Sequence, residues 1–248
     1  EGTTVIGTTD LDHNEDLDLE ATISDQEVDY LIKAFNSQFP SNELKRSDVL
    51  STWAGVRPVI GAEKSKDPSK ERRDHAVWSD NGLITVSGGK LTTFRLIALD
   101  ALAAAKNNLP AEKEIFDDRV FSTPKISAQS LSPENNSWGQ RLLGRYGEKA
   151  IELANSSSLD EQQNLGETEF SLAECRWAIK HEAVEHLDDL LLRRTRLGMC
   201  LNNGGTALYP ALKEIFSSER DWDDERWLTE VNRYETIWKN HYSLPNNS

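Results

Sequence analysis

The strand-forming part of this chain ends at a polar, proline-marked stretch from Pro110 to Pro133, and only helical patterns follow it. Before that stretch, His75 to Trp78 and Leu83 to Val86 flank Asn81-Gly82. This dipeptide favours tight hairpin turns because both of its positions tolerate positive φ. After the stretch, apolar residues recur at helical spacing. We therefore predict an α+β chain, in which the remnant of an antiparallel-sheet domain precedes an all-α C-terminal domain.

The helical patterns also set the domain limits that we predict. Residues 1–109 form the sheet-containing domain, residues 110–133 the connection, and residues 134–248 the helical domain. Within the helical domain, Gly204-Gly205 separates two helices as a C-cap and turn. The predicted helices are Trp138 to Ala154, Ser171 to Glu182, Ala183 to Leu197, Thr206 to Ser217 and Asp224 to His241.

Further elements are predicted in the first domain. Thr3 to Thr8 is β-rich, and Val49 to Ile60 has the composition of a strand entering a loop. Ser24 stands three residues before a glutamate in a capping-box spacing, which predicts a helix that runs until Pro40. Apolar residues from Leu91 to Leu102 predict another helix, which we expect to be buried on more than one side.

Composition and charge exclude several classes of protein. With 248 residues, 37% of them apolar, the chain can bury a core, and no apolar run is long enough to span a membrane. A net charge of -14 argues against general nucleic-acid binding. The charge runs, ten acids in Glu1 to Asp29 and a basic cluster in Lys64 to Arg73, are typical of solvated surface. Without a membrane span or a signal segment we expect a soluble, intracellular protein. Cys175 and Cys200 form no CxxC pair, which fits a reducing compartment, and we assign them no chemistry.

The segment SGGKLTTFR, Ser87 to Arg95, joins an apolar strand to a helix through two glycines. Gly88 and Gly89 let another molecule approach the backbone, and the unpaired amides of the helix start suit an anion or an electron-rich ring edge. Lys90 adds a positive charge there. The spacing is not that of a phosphate-binding P-loop. The alternative is a glycine-rich turn that only permits close packing.

Arg57 is a second candidate, because WAGVRP places it between a glycine and a proline after an apolar segment. A guanidinium can hold a phosphate or carboxylate through two parallel hydrogen bonds. The alternative is an ion pair with an acidic neighbour.

Other chemical motifs favour structural roles. His181 and His186 of HEAVEH are five residues apart, which separates them by about 140° on a helix, so we expect no zinc site. The arginines of LRRTR, Leu192 to Arg196, follow Asp188 and Asp189 by about one turn, which favours structural pairing. The tryptophans of the helical half are interpreted as packing residues: Trp138, Trp177, Trp222, Trp227 and Trp238.

Together, five motifs resemble the FAD-dependent glycerol-3-phosphate dehydrogenases and the closely similar glycerol-3-phosphate oxidases. They appear in the order and approximate spacing of that family and cover nearly the whole chain. The motifs are IGTTDLD at Ile6 to Asp12, STWAGVRP at Ser51 to Pro58, RDH at Arg73 to His75, SGGKLTTFR at Ser87 to Arg95 and LDDLLLRRTRLG at Leu187 to Gly198.

The resemblance implies oxidation of sn-glycerol 3-phosphate to dihydroxyacetone phosphate, with hydride passing to FAD. It implies that Arg57 binds the substrate phosphate and that Lys90 lies beside the substrate oxygens and the flavin as the catalytic residue. Arg73 is implied as an addition to the anion pocket. The turn residues implied to contact the flavin are Gly88, Gly89, Leu91, Thr92 and Thr93.

The chain departs from the family pattern because it has no GxGxxG after an N-terminal strand. We therefore expect it to be the C-terminal part of the enzyme, with residues 1–109 the end of the FAD and substrate domain. We also expect the natural protein to extend upstream of Glu1 and the isolated chain to be inactive.

The resemblance leaves the electron acceptor open, and we favour quinone over the oxygen of an oxidase. Quinone use implies peripheral association with a membrane. We expect a location on the cytoplasmic side, soluble or peripheral at a membrane. For the helical half, the alternative is a standalone interaction or anion-binding module, which supports a homodimer or contact with an electron acceptor.

Overall fold

The structure is a computed structural model and describes residues 2–57, 75–109, 125–132 and 134–245. It divides into two compact units. The larger unit comprises Glu1–Thr8, Glu20–Ala54 and Phe121–Ser248, and the smaller comprises Thr9–Leu19 and Gly55–Val120. The predicted domain limits stay a prediction, since most of residues 110–133 lies outside the described ranges.

The regular elements are named here in chain order. The strands are β1 (His75–Asp80) and β2 (Leu83–Gly88). The α-helices are α1 (Asp25–Gln38), α2 (Phe94–Ala105), α3 (Ala128–Leu131), α4 (Asn136–Tyr146), α5 (Ala150–Ser156), α6 (Leu172–His181), α7 (Leu197–Cys200), α8 (Tyr209–Arg220) and α9 (Asp224–His241). A π-helix spans Asp189–Arg194, and 3-10 turns include Leu91–Thr93, Gly147–Lys149 and Asn202–Leu208.

The smaller unit is built on the predicted hairpin, which the structure confirms. β1 and β2 pair antiparallel, with His75 opposite Gly88 and Asp80 opposite Leu83. At the turn, Asn81 and Gly82 have φ of 48° and 86°, the positive values that this dipeptide tolerates. The 3-10 turn Leu91–Thr93 and α2 follow directly.

The expectation that α2 is buried on more than one side is wrong for the described part of the chain. None of its residues is buried, and Phe94, Leu96, Leu99 and Leu102 are exposed. The apolar period correctly predicted a helix, because it is a local property. Burial depends on what packs against the helix, and these four residues stay between 43% and 53% exposed.

The larger unit contains the hydrophobic core. One cluster gathers α6, the π-helix, α8 and α9 around fully buried side chains such as Phe170, Leu190, Leu212 and Phe216. A second cluster packs α4 and α5 against α6 through Trp138, Leu142, Leu153, Ala173 and Trp177. Because α6 contributes to both clusters, it is the central helix of this unit.

Buried acidic residues in the same unit are paired. Glu174 is fully buried and accepts hydrogen bonds from the Ser171 amide at 3.0 Å and from Arg141 Nε at 3.2 Å. Asp188 is 1% exposed and forms ion pairs with Arg193 and Arg233. Burial of a charge is costly unless it is paired and hydrogen-bonded, so these networks are part of the core.

Helix starts were the best predicted boundaries. Ser24 caps α1 and forms the predicted capping box with Glu27. The predicted helix Asp224 to His241 coincides with α9, where the Asp223 side chain accepts a hydrogen bond from the Arg226 amide at 2.8 Å. Caps are signalled by local sequence, which explains this success.

Several predicted elements are corrected. Thr3 to Thr8 and residues 49–57 are not strands, and residues 58–60 of the second prediction lie outside the described ranges. The predicted helix from Trp138 is divided at Gly147. The predicted helix from Ala183 is also wrong, because residues 183–186 form no helix and Arg196, at φ 60°, separates the π-helix from α7. A segment of β-forming composition becomes a strand only where a neighbouring strand completes its backbone hydrogen bonds. The predicted α+β class is nevertheless confirmed.

Candidate functional site

The candidate site is the turn from Gly88 to Thr93, between β2 and α2. Gly88 and Gly89 have φ of 77° and 87°, a conformation that L side chains rarely adopt. A Cβ on Gly89 would lie 2.5 Å from Ile97 Cδ1 and 3.2 Å from His75 Cβ. The glycine therefore lets the turn pack closely on β1 and α2, which agrees with the packing alternative for this motif.

A histidine–aspartate pair ties the hairpin to α2 beside the turn. His75 Nε2 lies 2.7 Å from Asp100 Oδ2, and the two residues belong to β1 and α2. His75 also stands opposite Gly88 in the sheet register. The pair thus holds the two elements between which the turn runs.

The outward side of the turn carries donors. The Thr93 hydroxyl donates to the Lys90 carbonyl at 3.0 Å, and the Thr93 amide donates to the same carbonyl at 3.0 Å. Leu91 and Thr92 begin the helical turn, so their amides have no carbonyl one turn earlier in the helix to bond. Lys90, Leu91 and Thr92 are exposed. Amides and an ammonium group are therefore available to an anionic or electron-rich ligand.

Arg57 is held by an acidic residue of another motif. Its Nη1 donates to both carboxylate oxygens of Asp10, at 3.1 Å and 3.0 Å. Both residues belong to the smaller unit. The ion pair foreseen as the alternative for Arg57 is therefore present. Since a guanidinium has five donors, the pair with Asp10 also orients the group while leaving donors for a second anion.

The structure brings some of the predicted site residues together. Gly88, Gly89, Lys90, Leu91, Thr92 and Thr93 form one continuous turn. Arg57 lies in the same unit, and Arg73 lies outside the described residues. Sequence reasoning missed Asp10 and Asp100. Asp10 was one acid among ten in an acidic run, and only its place inside IGTTDLD distinguished it.

The two histidines of HEAVEH have partners unrelated to a metal. The ring of His181 lies 4.1 Å from that of Trp177, and His186 Nδ1 lies 3.0 Å from Glu230 Oε1. They do not share a helix, because α6 ends at His181. Within the ranges that the structure describes, His, Cys, Asp and Glu form no group of three or more that could hold a metal ion.

The structural roles predicted for other helical residues are confirmed. Arg193 pairs with Asp188 and Asp189, the partners expected for LRRTR. The indole of Trp138 donates to Ser171 Oγ at 3.1 Å, and Trp222 stacks on Phe216.

Among the helices of the described ranges, none combines the length and apolar content that a membrane span requires.

Comparisons with known proteins identify the family. Residues 1–95 match the model of the FAD dependent oxidoreductases, and residues 122–227 match the C-terminal domain of alpha-glycerophosphate oxidase. The chain is 29% identical over 241 residues to mitochondrial glycerol-3-phosphate dehydrogenase of Bos taurus. It is 31% identical over 250 residues to aerobic glycerol-3-phosphate dehydrogenase of Bacillus subtilis (strain 168). The chain therefore resembles the FAD-dependent glycerol-3-phosphate dehydrogenases along most of its length.

The chain spans less than half the length of these two relatives. The alignments cover 90% and 91% of this chain but 33% and 44% of the Bos taurus and Bacillus subtilis proteins. A solved glycerol-3-phosphate dehydrogenase from Bacillus halodurans, complexed with FAD, matches with a TM-score of 0.65 and 24% identity. That match covers 95% of this chain and 48% of the solved chain, and it establishes the fold. The resemblance drawn from the five motifs is confirmed.

Proposed function

We propose that this chain forms part of an FAD-dependent oxidoreductase that converts sn-glycerol 3-phosphate to dihydroxyacetone phosphate. The observation that carries the proposal is the exposed turn Gly88 to Thr93, which lies within the residues matched by the FAD dependent oxidoreductase model. In the reaction, a secondary hydroxyl becomes a ketone by loss of two electrons and two protons. FAD, when bound, supplies the two-electron acceptor.

The turn fits the edge of a flavin ring. Gly88 is exposed, and the amides of Leu91 and Thr92 stand at a helix start, where a negative charge is stabilised. Lys90 contributes a full positive charge at the same place. We assign Gly88 to Thr93 to the cofactor and Lys90 to both cofactor and substrate oxygens, because fixed donors stabilise charge that develops during reaction.

Arg57 is assigned to the phosphate of the substrate. Its Nη1 bonds to Asp10 leave the Nε and Nη2 donors for two parallel bonds to phosphate oxygens. Asp10 is then a positioning residue that fixes the plane of the guanidinium. We add Arg73 to this anion pocket from the family motif alone.

The electron acceptor is proposed to be a quinone, and molecular oxygen is the alternative. A soluble quinone analogue that is reduced in step with substrate oxidation, without oxygen uptake, supports the dehydrogenase. Stoichiometric hydrogen peroxide would assign an oxidase instead. The homodimer and the cytoplasmic-side location stay predictions.

The test is substitution of Arg57 by lysine in the full-length, FAD-loaded protein. Lysine keeps the charge but cannot form the bidentate grip, so KM for sn-glycerol 3-phosphate is expected to rise by about tenfold or more. Asp10→Asn, which keeps the size of the side chain, should raise KM by a smaller factor. Steady-state kinetics with a saturating acceptor measure both.

The control is Arg226→Lys in α9, because Arg226 is also 45% exposed and paired with a carboxylate, that of Glu230 at 2.8 Å; it should leave KM within about twofold. An Arg57→Lys protein with the KM of the natural protein would remove Arg57 from the site. A natural full-length protein whose FAD is not reduced by sn-glycerol 3-phosphate would refute the proposed function itself.

A further inference from the structure

The hairpin and α2 are joined by side chains as well as by the turn that connects them in sequence. His75 is the first residue of β1, and Asp100 lies in the middle of α2. Nε2 of the imidazole is 2.7 Å from Oδ2 of the carboxylate. The His75 side chain is only 18% exposed and that of Asp100 is 49% exposed, so the contact is partly shielded from water.

The same histidine also lies against the turn. His75 is the register partner of Gly88, and a Cβ on Gly89 would lie 3.2 Å from His75 Cβ. On its other side Gly89 faces Ile97 of α2, whose Cδ1 would be 2.5 Å from that Cβ. His75 therefore contacts the backbone of the turn and, through Asp100, the helix that follows the turn.

Polar contacts matter more for α2 than for a core helix. None of its residues is buried in the described part of the chain, so no buried apolar face fixes it there. Asp100 follows the first residue of α2 by six positions, about 9 Å along the helix axis. A helix moves as a stiff rod over this distance, so a shift at Asp100 also moves the amides of Leu91 and Thr92.

Lys90 moves with the same helix start. Its carbonyl accepts from both the amide and the hydroxyl of Thr93, each at 3.0 Å. The backbone of Lys90 is thus tied to the residue that directly precedes α2. A displacement of α2 on the hairpin would shift the charged group and the helix-start amides together.

We propose that His75 and Asp100 are positioning residues for the turn Gly88 to Thr93. Their contact holds the start of α2 and Lys90 where these donors stabilise the negative charge of reduced flavin. The inference rests on the proposed function, and all of the residues that it uses belong to the smaller unit. The pair then favours reduction of bound FAD without touching it.

Two competing explanations give different results. If Asp100 acts only through its charge, its removal takes a negative charge away from the flavin, which favours reduction and makes the midpoint potential more positive. If the pair is only structural, its loss lowers Tm and leaves the potential unchanged. Loss of positioning weakens the donors and makes the potential more negative. The sign of the shift therefore separates the three explanations.

The experiment uses Asp100→Ala and His75→Phe in the full-length, FAD-loaded protein. His75→Gln is the rescue variant, because its terminal amide can replace Nε2 as a donor to Asp100. Asp80→Ala is the control, since Asp80 is an exposed acid at the opposite end of β1. The flavin midpoint potential is measured by titration with a chemical reductant and a reference dye. Tm and hydrogen exchange of residues 88–95 are measured in parallel.

Asp100→Ala should lower the equilibrium constant for flavin reduction about fivefold, which makes the potential about 20 mV more negative. His75→Phe should shift it in the same direction, and the double variant should add little, because both changes break one contact. Exchange of residues 88–95 should become faster in each. His75→Gln should restore most of the potential, and Asp80→Ala should not lower it.

A potential that is unchanged or more positive in Asp100→Ala would overturn the inference, whatever happens to Tm. If His75→Phe does not fold, Asp100→Ala decides, since Asp100 is exposed. If Asp100→Ala does not retain FAD, unchanged hydrogen exchange of residues 88–95 overturns the inference and faster exchange supports it. The titration needs no substrate, so it tests the pair separately. A natural protein whose FAD is not reduced by sn-glycerol 3-phosphate refutes the proposed function instead.

Discussion

Helices α6 and α2 represent two regions of the molecule that are stabilised differently. Helix α6 buries Ala173, Glu174, Cys175, Trp177, Ala178 and Ile179 between two hydrophobic clusters. Helix α2 is more apolar in composition, yet none of its residues is buried in the described part of the chain. Apolar content alone therefore did not distinguish a core helix from a surface one.

The buried core and the candidate site residues lie in different units of the molecule. The candidate site residues that the structure describes, Arg57 and Gly88 to Thr93, lie in the smaller unit with α2. The clusters of fully buried side chains lie in the larger unit. Since a residue contributes to stability mainly through what it buries, substitutions in the larger unit should change the free energy of unfolding. Substitutions at the turn should instead change the reaction.

The largest effect is expected for Leu212→Ala in α8. Leu212 is fully buried, and truncation of such a side chain lowers the free energy of unfolding by about 2–5 kcal/mol. Leu99→Ala, the same change on exposed α2, should cost about 0.5 kcal/mol. Urea denaturation of the 248-residue chain measures both. Equal losses would show that α2 is covered in solution and would abolish the distinction between the two helices.

The next effect concerns Lys90→Met, which removes the charge at the turn and keeps the length of the side chain. In the full-length protein, flavin reduction by substrate should slow about 100-fold in single-turnover measurements, because a fixed donor to developing charge is lost. Tm should stay within about 1 °C, because Lys90 is exposed.

Lys106→Met is the matched control, since Lys106 is also an exposed lysine of the smaller unit. It should leave flavin reduction unchanged. A Lys90→Met protein that reduces flavin at the natural rate would exclude Lys90 from the chemistry.

The smallest effect is the pH dependence of Glu161→Gln in the larger unit. Burial tends to raise the pKa of Glu161, but hydrogen bonds from the Ser158 amide at 3.1 Å and from Arg176 Nε at 2.7 Å outweigh it and lower the pKa below 4.5. A carboxyl group whose pKa is lowered in the folded state stabilises the protein at pH values above its ordinary pKa. This contribution is lost as the pH falls through the lowered pKa. At pH 7, Glu161→Gln should cost about 1 kcal/mol.

That cost should shrink as the pH is lowered below 4.5. Urea denaturation at several pH values measures it, with the exposed Glu148→Gln as the control. A cost that does not change with pH would attribute the effect of Glu161 to packing.

Local signals explain which parts of the fold were predictable. The Asn81-Gly82 turn, the Ser24 capping box and the limits of α9 depend on residues close in sequence, and all three were predicted correctly. The failures involve distant partners. Residues 49–57 have β-forming composition, but Ser51 and Thr52 bond to helix ends instead of to a strand.

The candidate site shows the same division. The chemistry proposed for Gly88 to Lys90 was suggested by residue type and spacing, since glycines allow close approach to the backbone and lysine adds charge. That Gly89 packs on Ile97 and His75 came only from the structure. The orientation of Arg57 depends on Asp10, which lies 47 positions away in sequence. One acid cannot be singled out of an acidic run by spacing alone.

The sequence by itself indicated the resemblance to FAD-dependent glycerol-3-phosphate dehydrogenases, the α+β class, the hairpin and the residues proposed to bind substrate and flavin, because these depend on motifs and short-range patterns. Only the tertiary structure decided that α2 is exposed in the described chain, that Asp10 holds Arg57, and that Thr52 is anchored at the end of α9. The physical reason is that burial and long-range hydrogen bonds depend on two segments that meet in the fold. The residue pattern of one segment does not say which other segment packs against it.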